Sequence, residues 1–149
     1  MSQFVAIGVG CRRGVAGETI AALARRALEA VARGPDGLLL EEAGAGVRSA
    51  ATRLAHIRFF TLADKTREPG LIEAARLLAV PLVGLPRKAL VREALRILTP
   101  SAAAQARHGV PNVAEAAALA GAGPGGKLLG PRLASDGVTC AVALSAEAP

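Results

Sequence analysis

A chain of 149 residues predicts a single domain over 1–149, long enough to bury a substantial core. Apolar residues make up 52% and aromatics only 2%, with Phe4, Phe59 and Phe60 but neither Trp nor Tyr, which argues for an aliphatic core and against a module that stacks bases on rings. The formal charge of +6 points to acidic partners, yet the basic residues are scattered without a block, and only Lys65, Lys88 and Lys127 are lysine, so a small polyanion suits the chain better than nucleic acid.

In chain order, an apolar strand over about 4–9 runs into Gly8-Val9-Gly10-Cys11-Arg12-Arg13-Gly14, and a helix follows over about 16–32 with Ile20, Leu23, Ala24, Ala27, Leu28 and Val31 on its apolar side. Arg33-Gly34-Pro35-Asp36-Gly37 carries strong stop signals. The triplet Leu38-Leu39-Leu40 before a glycine-bearing stretch reads as a helical turn, an edge element or a loop. A short helix over about 48–54 leads to a second strand over 56–61 that opens with His56. The polar loop of Ala63-Asp64-Lys65-Thr66-Arg67-Glu68 precedes Pro69, which suits the first turn of a helix carrying Leu71, Ile72, Ala75 and Leu78.

Pro81 to Leu85 reads as a short buried strand, and Leu90, Val91, Ala94, Leu95 and Leu98 give the clearest helical spacing in the chain. Asn112 with Glu115 three positions on has the form of a capping box opening a helix to about Ala120. Lys127-Leu128-Leu129 and 138–144 read as the last two strands, with Asp136-Gly137 as a turn between them. Strands alternating with helices predict a three-layer α/β domain with a mostly parallel sheet, the closing pair adding an antiparallel strand.

The first loop is the strongest functional candidate. Gly8, Gly10 and Gly14 are spaced G-x-G-x-x-x-G, one residue longer than a dinucleotide fingerprint, and Thr61 stands where a nucleotide-binding sheet would close its second strand with an acid. Two readings stand side by side: a tight strand-to-helix turn with solvated arginines, or an anion site built from free helix amides and the forks of Arg12 and Arg13. Cys11, beside two positive charges and near a helix N-terminus, is a candidate thiolate and a weak candidate nucleophile; Cys140 reads as core. The loop with Asp64, Lys65 and Glu68 is either a solvated turn or the second wall of a cleft beyond the strand ends. Glu115 reads as a helix cap, and His56 and His108 as structural or exposed. Two histidines and two cysteines without close spacing give no metal motif, and no cofactor is implied. Without a leader pattern or a membrane-length apolar run, the expected location is the cytoplasm.

Taken together, Val5-Ala-Ile-Gly-Val-Gly-Cys-Arg-Arg-Gly14, Lys65-Thr-Arg-Glu-Pro-Gly-Leu71, Pro81-Leu-Val83, Gly109-Val-Pro-Asn-Val-Ala-Glu-Ala-Ala117 and Ser135-Asp-Gly-Val-Thr139 resemble the CobE family, itself similar to the C-terminal domain of CbiG in cobalamin biosynthesis. The resemblance runs over almost the whole chain. It implies a three-layer α/β/α fold with a mixed, mostly parallel sheet of about five strands. It also implies a role in the aerobic route, binding a polycarboxylated precorrin or corrin acid such as hydrogenobyrinic acid for handover between pathway enzymes. An alternative is a precorrin hydrolase or ring-contraction helper, and a third is a nucleotide- or nucleic-acid-binding domain. Two positions depart from the family pattern: Asn112 replaces the usual serine, and Ala63 stands where relatives carry an aspartate, with Asp64 one place along. On the first reading Gly8, Gly10, Cys11, Arg12, Arg13, Gly14, Asp64, Lys65 and Glu68 line the site, with no nucleic acid and no membrane involved.

Overall fold

The computed structural model describes residues 3–32 and 57–146. Strand β1 (Val5–Cys11) lies at the centre of a six-stranded mixed sheet. It pairs in parallel with β2 (Ile57–Leu62), which pairs in parallel with β3 (Leu82–Leu85). On its other side it pairs antiparallel with β6 (Val138–Leu144), whose far edge is covered by two short strands, β4 (Lys127–Leu128) and β5 (Leu133–Ser135). The parallel core β3-β2-β1 is thus extended by an antiparallel unit from the C-terminal part of the chain. In the turn joining β5 to β6, Asp136 and Gly137 both have positive φ, as a two-residue hairpin turn requires.

Successive side chains of a strand face opposite layers, and β1 uses this unevenly. Val5, Ile7 and Val9 pack with Ile20, Leu23 and Ala24 of α1 (Gly17–Ala32) and Leu71, Ala74 and Leu78 of α2 (Pro69–Leu78). The opposite face is built from Ala6, Ala141 and Ala143, with Phe60 and Leu62 beside them, against α5 (Val113–Ala122). Small residues on that side let the helix come close. A methyl group on Gly8 would overlap the Ala114 carbonyl and the Ala118 amide, so Gly8 is where the α5 backbone rests on the sheet.

Helix α5 is buried on almost every side, from Ala114 to Leu119. Its outer side is covered by the segment that includes α3 (Arg87–Val91) and a 3₁₀ turn at Ala94–Arg96. The single helix expected over 90–98 is therefore two short pieces. The Glu93 and Arg96 amides donate to Leu90 and Glu93 carbonyls three residues back, tightening the segment out of the α-form, and Ile97 is extended. A helix that the sequence reading did not anticipate, α4 (Ala102–His108), stands between this segment and α5. The expected elements over 38–54, and His56, lie outside the described residues.

Candidate functional site

Strands β1 and β2 end side by side, and the Thr61 hydroxyl donates to the Val9 carbonyl at 2.8 Å, tying those ends together. The Arg12–Arg13 corner leaves β1 and the 3₁₀ turn Ala63–Lys65 leaves β2. Both open onto one cleft of about 830 Å³, within the usual range of small-molecule sites, about 300–1,000 Å³. Gly10, Cys11, Arg12, Arg13 and Lys65 line it from the sheet side. Ala103, Ala104, Arg107 and His108 of α4 line it too, as do Arg132 and the stretch from Ala134 to Thr139. The Arg12 amide donates to the Gly137 carbonyl at 2.8 Å, which fixes the β5–β6 turn against the arginine corner.

Four of the expected site residues stand elsewhere. Gly8 is covered by α5. The Gly14 amide is not free for a ligand: it donates to Glu68 Oε2 at 3.1 Å, so the chain's own carboxylate occupies the seat predicted for an external anion. Glu68 is thereby used inside the fold. Asp64 faces Arg87 at 3.8 Å rather than the cleft lining. The N-terminus of α1 contributes nothing to this cleft; Glu18 and Thr19 line a separate hollow of about 280 Å³. Gly8 and Gly10 belong to β1 itself, and only Gly14, at φ 84°, sits in the turn with a backbone that glycine favours.

The cleft is strongly cationic. Arg12, Arg13, Lys65, Arg107 and Arg132 face a single lining carboxylate, Asp136, and among the described residues none of the five is ion-paired. Such a cluster stores mutual repulsion that a polyanion relieves. Between the charges lie Pro111, Val113, Ala103, Ala104 and Ala134, an aliphatic lining without aromatic rings.

The thiol chemistry runs opposite to expectation. Cys11 closes β1 opposite Val138 instead of standing in the turn, and burial pushes its thiol up, more than Lys65 pulls it down, with Glu68 adding to the rise. It is a protonated thiol at neutral pH, not the expected thiolate. Cys140 is buried in β6 and its thiol is pushed up to about 12 by burial, then by Cys11.

Glu115 holds the cleft's frame together. The Asn112 side chain accepts from the Glu115 amide at 3.0 Å, the cap predicted from sequence. The Glu115 carboxylate does not complete a capping box. It is fully buried and accepts from the Leu98 amide (2.8 Å), the Thr99 amide (2.9 Å), the Thr99 hydroxyl (2.8 Å) and the Arg132 amide (2.9 Å). It therefore joins the stretch before α4, the start of α5 and the loop between β4 and β5 that carries Arg132. Helix α4 is capped by Ser101, whose side chain accepts from the Ala104 amide at 3.2 Å, and the Ser101 amide donates to Pro111 at 2.8 Å, closing the base of the segment.

Arg107, His108 and Arg132 were missed as site residues. The Gly109-Val-Pro-Asn stretch announces a helix cap at Asn112, but nothing in its local pattern brings α4 to the cleft.

A family model described as the cobalamin synthesis G C-terminus matches residues 5–143. Protein CobE of Sinorhizobium sp. is 34% identical over 137 residues, covering 92% of this chain and 77% of the relative. The crystal structure of CobE, a protein from the cobalamin biosynthetic pathway, is similar with a TM-score of 0.77 and 32% identity over 100% of this chain and 95% of that one. Cobalamin biosynthesis protein chiG from Agrobacterium tumefaciens gives 0.62 at 32% identity, covering 96% and 99% of the two chains.

Proposed function

The chain belongs to the family of the cobalamin synthesis G C-terminus, a cobalamin biosynthesis protein of the CobE kind, and from that membership we propose that its cationic cleft binds a polycarboxylated corrin-type intermediate. Hydrogenobyrinic acid is the first candidate, held for handover to another enzyme of the aerobic route. The observation that carries this reading is the convergence of five cationic side chains, none of them ion-paired among the described residues, on one aliphatic-lined cleft. A corrin acid is a flat apolar ring fringed with carboxylates. Its faces suit Pro111, Val113 and the alanines, and its rim suits the guanidinium forks. Binding is favoured over thiol-based hydrolysis because burial keeps Cys11 protonated.

Gel filtration of the protein with hydrogenobyrinic acid tests the proposal, the expected result being co-elution of the coloured acid with the protein. An Arg12→Ala/Arg13→Ala double variant is expected to bind about 100-fold more weakly, from two lost charge-assisted contacts of about 1.5 kcal/mol each. Unchanged affinity in the folded double variant would take these arginines out of the site, and absence of co-elution with the natural protein would remove the binding reading itself.

A further inference from the structure

We infer that His108 is a ligand contact whose imidazole takes up a proton from solvent when a polyanion fills the cleft. The inference rests on the polycarboxylate reading above and extends it to a residue outside the arginine corner. His108 ends α4 and lines, half-buried, the same cleft as Arg12 and Arg13. The charged groups that act on it come from three elements: Lys65 and Asp64 from the turn after β2, Arg107 from α4, and Arg87 from the start of α3. Arg12, Arg13 and Arg132 share the cleft with it.

In the empty protein, burial first and then Lys65, Arg107 and Arg87 hold the imidazole below the ordinary histidine range, with Asp64 opposing them too weakly to cancel the effect. A ligand carrying several carboxylates reverses the local field, and an imidazole beside it then gains a favourable charged state. Imidazole is the side chain whose ordinary titration falls near neutral pH, and the Cys11 thiol is pushed up, away from that range. His108 is thus the lining group whose charge changes near neutral pH. By linkage, ligand and proton strengthen each other's binding. Affinity for the acid therefore rises as pH falls from 8 to 6, by up to about tenfold per unit of displaced titration.

Proton NMR of the imidazoles tests this directly, because the chain has two histidines and a His108→Asn variant identifies the second signal by its loss. The His108 signal is expected to titrate below the ordinary histidine range in the free protein. With hydrogenobyrinic acid bound, its midpoint moves up by about one pH unit or more. The acid's affinity, followed by its absorbance, gains about tenfold between pH 8 and pH 6 in the natural protein. His108→Asn flattens this profile, and His108→Lys keeps the acid tightly bound at pH 8. A bound complex in which the His108 midpoint stays put would overturn the coupling while leaving the binding proposal intact. Failure of the acid to bind at either pH would overturn both.

Discussion

Glu115 shows how one side chain can be half legible. Its place three residues after Asn112 announces a helix start, and the Asn112 cap is present. The other half of its role depends on Leu98, Thr99 and Arg132, each 16 or 17 residues away, and no local spacing encodes those partners. Removing the carboxylate leaves three amides and a hydroxyl facing a buried void. Glu115→Ala is expected to cost about 3 kcal/mol or more, read from urea unfolding, and to weaken corrin-acid binding through the displaced Arg132 segment; a loss under 1 kcal/mol would mean those donors find other partners. Cys11 makes the complementary point. Arg12 and Arg13 were visible beside it in sequence, but the charge that pulls its thiol down is Lys65, 54 residues on, and burial within the folded sheet outweighs that pull. Glu68 is similar, since only the fold brings its carboxylate onto the Gly14 amide.

At the level of elements, the alternation of β1 was readable, and so were α1, α2, β3 and the start of α5, because apolar periodicity and proline and asparagine signals agree there. What the pattern in β1 did not reveal is that its glycines serve packing. The expectation that Gly8 admits a ligand is replaced by an α5 backbone lying against it. Gly8→Ala is therefore expected to destabilise by about 3 kcal/mol, at the upper end for overpacking, since a helix backbone rather than a flexible side chain must move. Gly14→Ala, with open space around the added methyl but φ at 84°, is expected to cost only about 1 kcal/mol. Thermal unfolding of the two variants compares them, and equal losses would contradict the helix contact. The helical spacing over 90–98 misled because periodicity reports a buried stripe only when that stripe faces a core. Here Leu90 is buried while Leu95 is fully exposed, and Glu115 draws the Leu98 and Thr99 amides away from helical bonding.

Across the whole molecule, the meeting of the Arg12 corner with the Lys65 turn followed from topology, since adjacent parallel strands deliver the loops at their C-terminal ends to one place. The remaining walls, from α4 and the Arg132 segment, come from an antiparallel extension and a short helix whose positions depend on long-range contacts. The charge imbalance of the cleft sets a test at this scale. Raising ionic strength from about 0.05 M to 0.5 M, where screening shortens from more than 10 Å to a few Å, is expected to weaken hydrogenobyrinic acid binding about tenfold or more. Affinity that ignores salt would place the ligand on the aliphatic lining alone.

The outer border of the sheet is carried by β4 and β5 with Gly130-Pro131-Arg132 looped out between them. Proline has no amide to offer, and the interruption leaves no unbroken row of donors and acceptors along that flank. A second polypeptide therefore finds no continuous template there for strand addition. The same detour that brings Arg132 to the cleft also breaks up this border as a seam for another chain.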